Sequence, residues 1–156
     1  MTTIVAITLI NAPIEKVFTS SLSIDLELSA AKEYGIRAVG GVTSGIIGKG
    51  ERVTWQVKQF GLWVSHTTEI SGFREPTYFQ DMMINGLFQS FCHDHFFRSV
   101  GPTQTEMRDE VSFSMPLLLA GKLAESLFVR RRLSALLDKR NCAIKTETEE
   151  SQGSKE

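Results

Sequence analysis

Apolar and polar residues alternate along most of the middle of this chain. Val53, Trp55 and Val57 alternate with Thr54, Gln56 and Lys58, and Val64, His66, Thr68 and Ile70 alternate with Ser65, Thr67 and Glu69. Phe79, Asp81 and Met83 then alternate with Tyr78, Gln80 and Met82. Phe91, His93, His95 and Phe97 fall on one side of the next segment, with Cys92, Asp94 and Phe96 on the other. Met107, Asp109, Val111 and Phe113 close the series. A period of two is that of strands with one face inward. Turn signals separate the segments at Phe60-Gly61, Phe73-Arg74-Glu75-Pro76, Asn85-Gly86 and Val100-Gly101-Pro102. An antiparallel meander is predicted, with one apolar face carrying a few embedded polar groups.

The flanks change period. Ile4 to Ile10 is a β-branched, apolar run and predicts a first strand. Asn11-Ala12-Pro13 reads as a helix start with Asn as cap, and Ile14, Val17 and Phe18 give that helix one apolar side. A second short helix is predicted from Ser23 or Asp25 to Tyr34-Gly35. After Pro116, Leu117 to Lys145 is the longest helical pattern, starting around Ala120, with Leu123, Leu127, Leu133, Leu136, Leu137 and Ile144 as its apolar stripe. Arg130-Arg131-Arg132 and Lys139-Arg140 are expected on its solvated side. Residues 146–156 are polar, rich in Glu and without large apolar groups, and predict a disordered tail. Gly40, Gly41, Gly45, Gly48 and Gly50 lack the Gly-Lys-Ser/Thr ending of a phosphate loop, so they are read as bends in a curved sheet.

Composition narrows the class. A chain of 156 residues suits one domain, here residues 1–145, and can bury a core without staples. A net charge of −1 gives no general attraction to nucleic acid, and none is expected as a partner. Two cysteines, Cys92 and Cys142, make no disulfide framework and fit a cytoplasmic setting. No apolar run reaches the roughly 18 residues of a membrane span, and the N-terminus lacks signal-peptide features.

One strand, two short helices, an antiparallel meander and a long C-terminal helix resemble the α+β helix-grip fold of the SRPBCC superfamily. That superfamily includes START lipid-transfer domains, the birch-pollen allergen and polyketide cyclases. Ile10 to Phe18 is similar to its opening. So are Gly45-Ile46-Ile47-Gly48-Lys49-Gly50-Glu51 leading to Val53-Thr54-Trp55, and Phe91 to Phe97 with Met107 and Asp109 after it. The resemblance covers about residues 3–145. It implies a curved sheet of six to seven strands around the long helix, with a cavity between them for a lipid, polyketide or aromatic metabolite. The lining would include Trp55, Val57, His66, Phe79, Asp81, Met83, Phe91, His93, His95, Phe97, Met107 and Asp109 from the sheet, and Leu123 and Leu127 from the helix.

All three histidines of the chain fall on the predicted inner face with Asp81 and Asp109. A turn centred on Gly101 would set His93 opposite Asp109, and a connection centred near Leu87 would set it opposite Asp81. An Asp–His–Asp row around His93 follows. Such a row has several readings. It satisfies a buried imidazole, it anchors a polar group of the ligand, or it supplies a general acid or base (His93 or His95 with Asp81 or Asp109) for a cyclase or dehydratase reaction. His93, His95 and an Asp could chemically hold a metal, but no other ligand spacing is present, so neither a metal nor a cofactor is expected. The expected partner is a small hydrophobic molecule bound by a monomer or homodimer, without integral membrane association. An enzyme and a protein–protein interaction module are the alternatives.

Overall fold

The computed structural model describes residues 1–59, 61–116 and 123–153. The chain forms β1 (Thr2–Ile10), α1 (Ile14–Ser21), α2 (Ile24–Ala30), a 3-10 turn (Lys32–Tyr34) and β2 (Arg37–Gly41). The meander follows as β3 (Arg52–Gln59), β4 (Leu62–Arg74), β5 (Tyr78–Asn85), β6 (Ser90–Gly101) and β7 (Gln104–Ser114), and a long helix, α3 (Leu123–Gly153), ends the chain. The strands make one antiparallel sheet in the order β1-β7-β6-β5-β4-β3-β2. This is the α+β helix-grip arrangement, with seven strands.

The short helices start and stop for local reasons. Ser23 caps α2, its hydroxyl accepting from Leu26 N–H at 3.2 Å. Gly35 follows the 3-10 turn at φ 64°, where a Cβ would be strained. The expected Asn11 cap is not used. Pro13 stands at the cap in extended geometry, two residues later than Asn11. Asn11 instead ties the ends of the chain together: its N–H donates to Glu149 Oε1 at 2.8 Å, and its Oδ1 accepts from Gln104 Nε2 at 3.0 Å. The glycine-rich loop is held against the α1–α2 junction. Gly45 N–H donates to Asp25 Oδ2 at 2.8 Å, and Ile47 N–H to the Leu22 carbonyl at 3.0 Å.

Two apolar clusters fix the layers. Phe18 of α1 is 1% exposed and meets Phe73, Phe79 and Phe97 edge-on, joining the helix to β4, β5 and β6. Burying a phenylalanine in this way is worth about 1.5–3 kcal/mol. Val53, Ile70 and Met107 complete that cluster. In the second cluster Leu137, with Leu133 and Val129 of α3, covers Ile4, Val111 and Phe113 of β1 and β7.

The C-terminal helix corrects three expectations. It continues through Gly153, so residues 146–153 are helical rather than a disordered tail. Thr148 is fully buried, with its hydroxyl donating to the Ile144 carbonyl at 2.7 Å, and Lys16 Nζ donates to the Thr148 carbonyl at 2.6 Å. These contacts anchor the last turns despite their polar composition. Leu127 is 56% exposed and does not face the sheet. The buried stripe runs through Leu137, Arg140, Asn141, Ile144 and Thr148, and Leu127 falls off it by helical phase. Arg140, expected on the solvated side, lies on that stripe and is 6% exposed. The predicted helical stretch 117–122 lies outside the described residues, as does the Leu123 side chain.

Candidate functional site

β4, β5, β6 and β7 place the polar side chains. Asp81 pairs with His93 across β5 and β6, as the turn near Leu87 predicts. Across β6 and β7 the register differs by two residues from that expected: Asp109 lies opposite His95, and Val111 opposite His93. The turn is made by Pro102 and Thr103 instead of being centred on Gly101, which advances the pairing, and an irregularity between Ser99 and Gly101 takes back part of that advance. A shift of two keeps every side chain on its face but changes its partner.

His95, not His93, is therefore the centre of the row. Its Nδ1 lies 2.7 Å from Asp109 Oδ1, and its Nε2 lies 3.1 Å from Asp81 Oδ2. His93 Nε2 reaches the same Asp109 oxygen at 3.2 Å. An ionised carboxylate only accepts, so Asp109 orders both rings with His95 Nδ1 and His93 Nε2 as donors. Phe79 stacks on His95 with ring centres 4.0 Å apart, and the His93 ring is 3.7 Å from that of His95. Thr68 extends the row by donating to Asp81 Oδ1 at 3.4 Å.

α3 supplies two groups that the sequence reading did not assign to the site. Asn141 Nδ2 donates to Asp109 Oδ2 at 2.8 Å. Arg140 lies 3.5 Å from Asp109 Oδ1 through one nitrogen, donates to Glu27 Oε2 at 2.7 Å through Nε, and donates to the Ser21 carbonyl at 2.9 Å. One guanidinium thus joins α1, α2, α3 and β7. Their signal was legible: Arg140 and Asn141 stand three and four residues after Leu137 and share its face.

The electrostatics follow from burial and pairing. Burial alone would push the Asp109 carboxyl up, but the hydrogen bonds from His93 and His95 and the charge of Arg140 outweigh it and hold the group well below its ordinary value. Asp81 is likewise held low, with the His95 hydrogen bond foremost against burial. Burial, with the neighbouring His95, lowers His93 to about 4 against the pull of Asp109. Arg140 is raised, because Glu27, Asp109 and Asp81 together exceed the cost of its burial.

His66 lies apart from this row. Its ring packs edge-on against Phe88 and Phe91, and its buried Nδ1 has no hydrogen-bond partner among the described residues. Burial lowers it to about 4, with Asp81 opposing. Cys92 faces outward toward Asp94, and burial with that charge pushes its thiol up to about 12, which leaves it an unreactive thiol.

The predicted lining residues divide into two zones. Phe79, Phe97 and Met107 are fully buried in the core under α1. Trp55, Val57, Met83 and Phe91 stay half-buried toward the other end of the same face. The His–Asp row lies between the zones, with His95 and Asp109 sealed, and with 12% of the His93 side chain and 23% of the Asp81 side chain exposed. Among the described residues, the recesses beside Ser23, Asp25 and Ile46 and beside Tyr34, Phe128 and Arg132 hold no predicted site residue.

No family model and no curated protein matches the chain. Solved structures do. The TTHA0849 protein of Thermus thermophilus is 18% identical, with 92% of this chain and 97% of that chain covered at a TM-score of 0.70. A START superfamily protein from Mycobacterium smegmatis is 16% identical, with 95% and 97% covered at 0.66. The ZhuI aromatase/cyclase of a Streptomyces species is 15% identical, with 95% and 93% covered at 0.62. Among the described residues no helix is long and apolar enough to cross a membrane. The chain has the START-like helix-grip fold that these proteins share.

Proposed function

We propose that the chain binds a small hydrophobic molecule, of lipid, polyketide or aromatic type, on the inner face of the sheet beneath α3. The observation that carries this reading is the gradient of burial along that face. Val53, Ile70, Phe79 and Phe97 are packed solid, whereas Trp55, Val57, Val64 and Met83 are apolar, inward and only half-buried. Apolar surface left accessible beside a few converging polar groups is the usual character of a small-molecule site. Asp81 and His93, the exposed members of the polar row, would orient the ligand's polar end. The reading is of a cytoplasmic carrier or sensor, monomeric or dimeric. Its test is titration with an apolar naphthalene fluorophore, read by energy transfer from Trp55. Saturable binding that Met83→Trp weakens roughly tenfold, about 1.4 kcal/mol, supports the site. Binding that is unsaturable or indifferent to this substitution refutes it.

The solved aromatase/cyclase of the same fold motivates a second reading, and one feature of this site favours it. His93 is partly exposed, its Nε2 is committed to Asp109, and its lowered proton affinity leaves Nδ1 free as a base at neutral pH. Turnover of a polyketide-like substrate that survives His93→Ala would remove that role.

A further inference from the structure

We propose that Asp81, His93 and His95 form a binding site for a divalent transition metal of the zinc class. This goes beyond the hydrophobic-ligand reading and does not depend on it. Sequence spacing argued against a metal, because only the two histidines stood close in the chain. The third donor comes from the neighbouring strand, since Asp81 lies directly across from His93.

The geometry supports a shared ion. One donor atom from each of the three residues lies within 4.8 Å of the other two. Asp81 Oδ2 and His95 Nε2 are 3.1 Å apart. Two donors bound to one tetrahedral zinc at their usual distances would be about 3.3 Å apart. The tautomers also fit. Asp109 accepts from His95 Nδ1 and His93 Nε2, so the other nitrogen of each ring is the one available to a metal that displaces its proton. A buried carboxylate that orients metal-ligating imidazoles is a recurrent outer-sphere arrangement, and Asp109 is itself fixed by Asn141.

Charge points the same way. Asp81, Asp109 and Glu27 face the single guanidinium of Arg140. In the absence of an ion, a proton on His95 Nε2 donates to Asp81 Oδ2 at 3.1 Å, and a bound ion takes the place of that proton. A divalent ion there carries one more positive charge than the proton it displaces, among three carboxylates that face one guanidinium. Asp81 and His93 are the partly exposed members, so the ion has a route in.

The competing arrangement is a proton on His95 Nε2 bridging to Asp81. Titration of cobalt(II) into the full-length chain, stripped by chelator, separates the two. The proposal predicts visible d–d absorption that saturates at one cobalt per chain, is bleached by equimolar zinc, and accompanies a rise in melting temperature. Asp81→Asn and His93→Gln should each abolish the saturable absorption. Cys142→Ser, which removes an exposed thiol, should leave it unchanged. Circular dichroism establishes that each variant is folded, and if Asp81→Asn is not, His93→Gln carries the test. Absence of saturable absorption in the native chain, its survival in the folded histidine variant, or its loss in Cys142→Ser overturns the proposal.

Discussion

His95 donates to Asp109 across the β6–β7 pair at 2.7 Å, and both side chains are sealed from solvent. Asp109 is also the acceptor for His93, Asn141 and Arg140. Removing it would leave a buried guanidinium and two imidazoles without their common partner. Asp109→Ala should therefore lower unfolding stability by about 3–5 kcal/mol. Urea denaturation measures this, and a loss under about 1 kcal/mol would show that the row does not hold the sheet to α3.

Arg140 is expected to matter where its neighbours in sequence do not. Arg140→Ala removes the contacts to Glu27, Ser21 and Asp109 and should cost about 3–5 kcal/mol. Arg130→Ala, at an exposed position, should stay within about 0.5 kcal/mol of the native chain. Arg140→Lys should rescue only partly, because an ammonium cannot reproduce the guanidinium's spread of donors. Equal effects at 130 and 140 in parallel melts would contradict this account of the helix face.

Acid should weaken the fold before its carboxylates titrate. Burial holds His66 at about 4 in the folded chain, against an ordinary value of 6.5. Between those values the unfolded chain binds the extra proton, so stability is full above 6.5 and declines as pH falls toward 4. This one group contributes a slope of at most about 1.4 kcal/mol per pH unit. His66→Phe, flanked by Phe88 and Phe91, should flatten the pH dependence in that window. Superimposable pH profiles for the two proteins would exclude His66 as a source of the slope.

Gly41 tests the edge of the sheet. It has φ 70°, and an added Cβ would lie 2.0 Å from the Arg52 carbonyl oxygen, a backbone atom that cannot step aside. Gly41→Ala should destabilise by about 1–3 kcal/mol, more than Gly45→Ala, whose Cβ would meet no atom of the described residues within 4 Å. Comparative thermal melts decide, and an equal loss at the two positions would show that backbone strain alone sets the cost.

Much of the architecture was legible because period and turn chemistry agreed. The alternation from Val53 to Phe113 fixed the inward face, and a register error of two residues could not invert it. A turn centred on Gly101 puts His93 at the centre of the polar row, whereas the observed turn at Pro102-Thr103 puts His95 there, and Gly101 and Pro102 are both turn residues between which local pattern does not choose. Arg140 and Asn141 are polar, and residue type alone assigns them to the solvated side of the helix. Their positions relative to Leu137 and Ile144 place them on the buried stripe whatever their polarity. The tail beyond residue 145 looked disordered by composition, yet long-range contacts through Thr148 and Glu149 hold it helical. Such contacts are outside the reach of a local pattern.

The half-buried apolar wall around Trp55, Val57 and Met83 is the proposed seat of the ligand. Native mass spectrometry of the gently purified full-length chain, set beside mass spectrometry of its denatured organic extract, tests it most directly. A mass excess on the native protein that vanishes on denaturation is expected, with a lipid or aromatic metabolite recovered in the extract. Bare protein mass in the native spectrum, together with no saturable uptake when lipids and aromatic polyketides are added back, would contradict it.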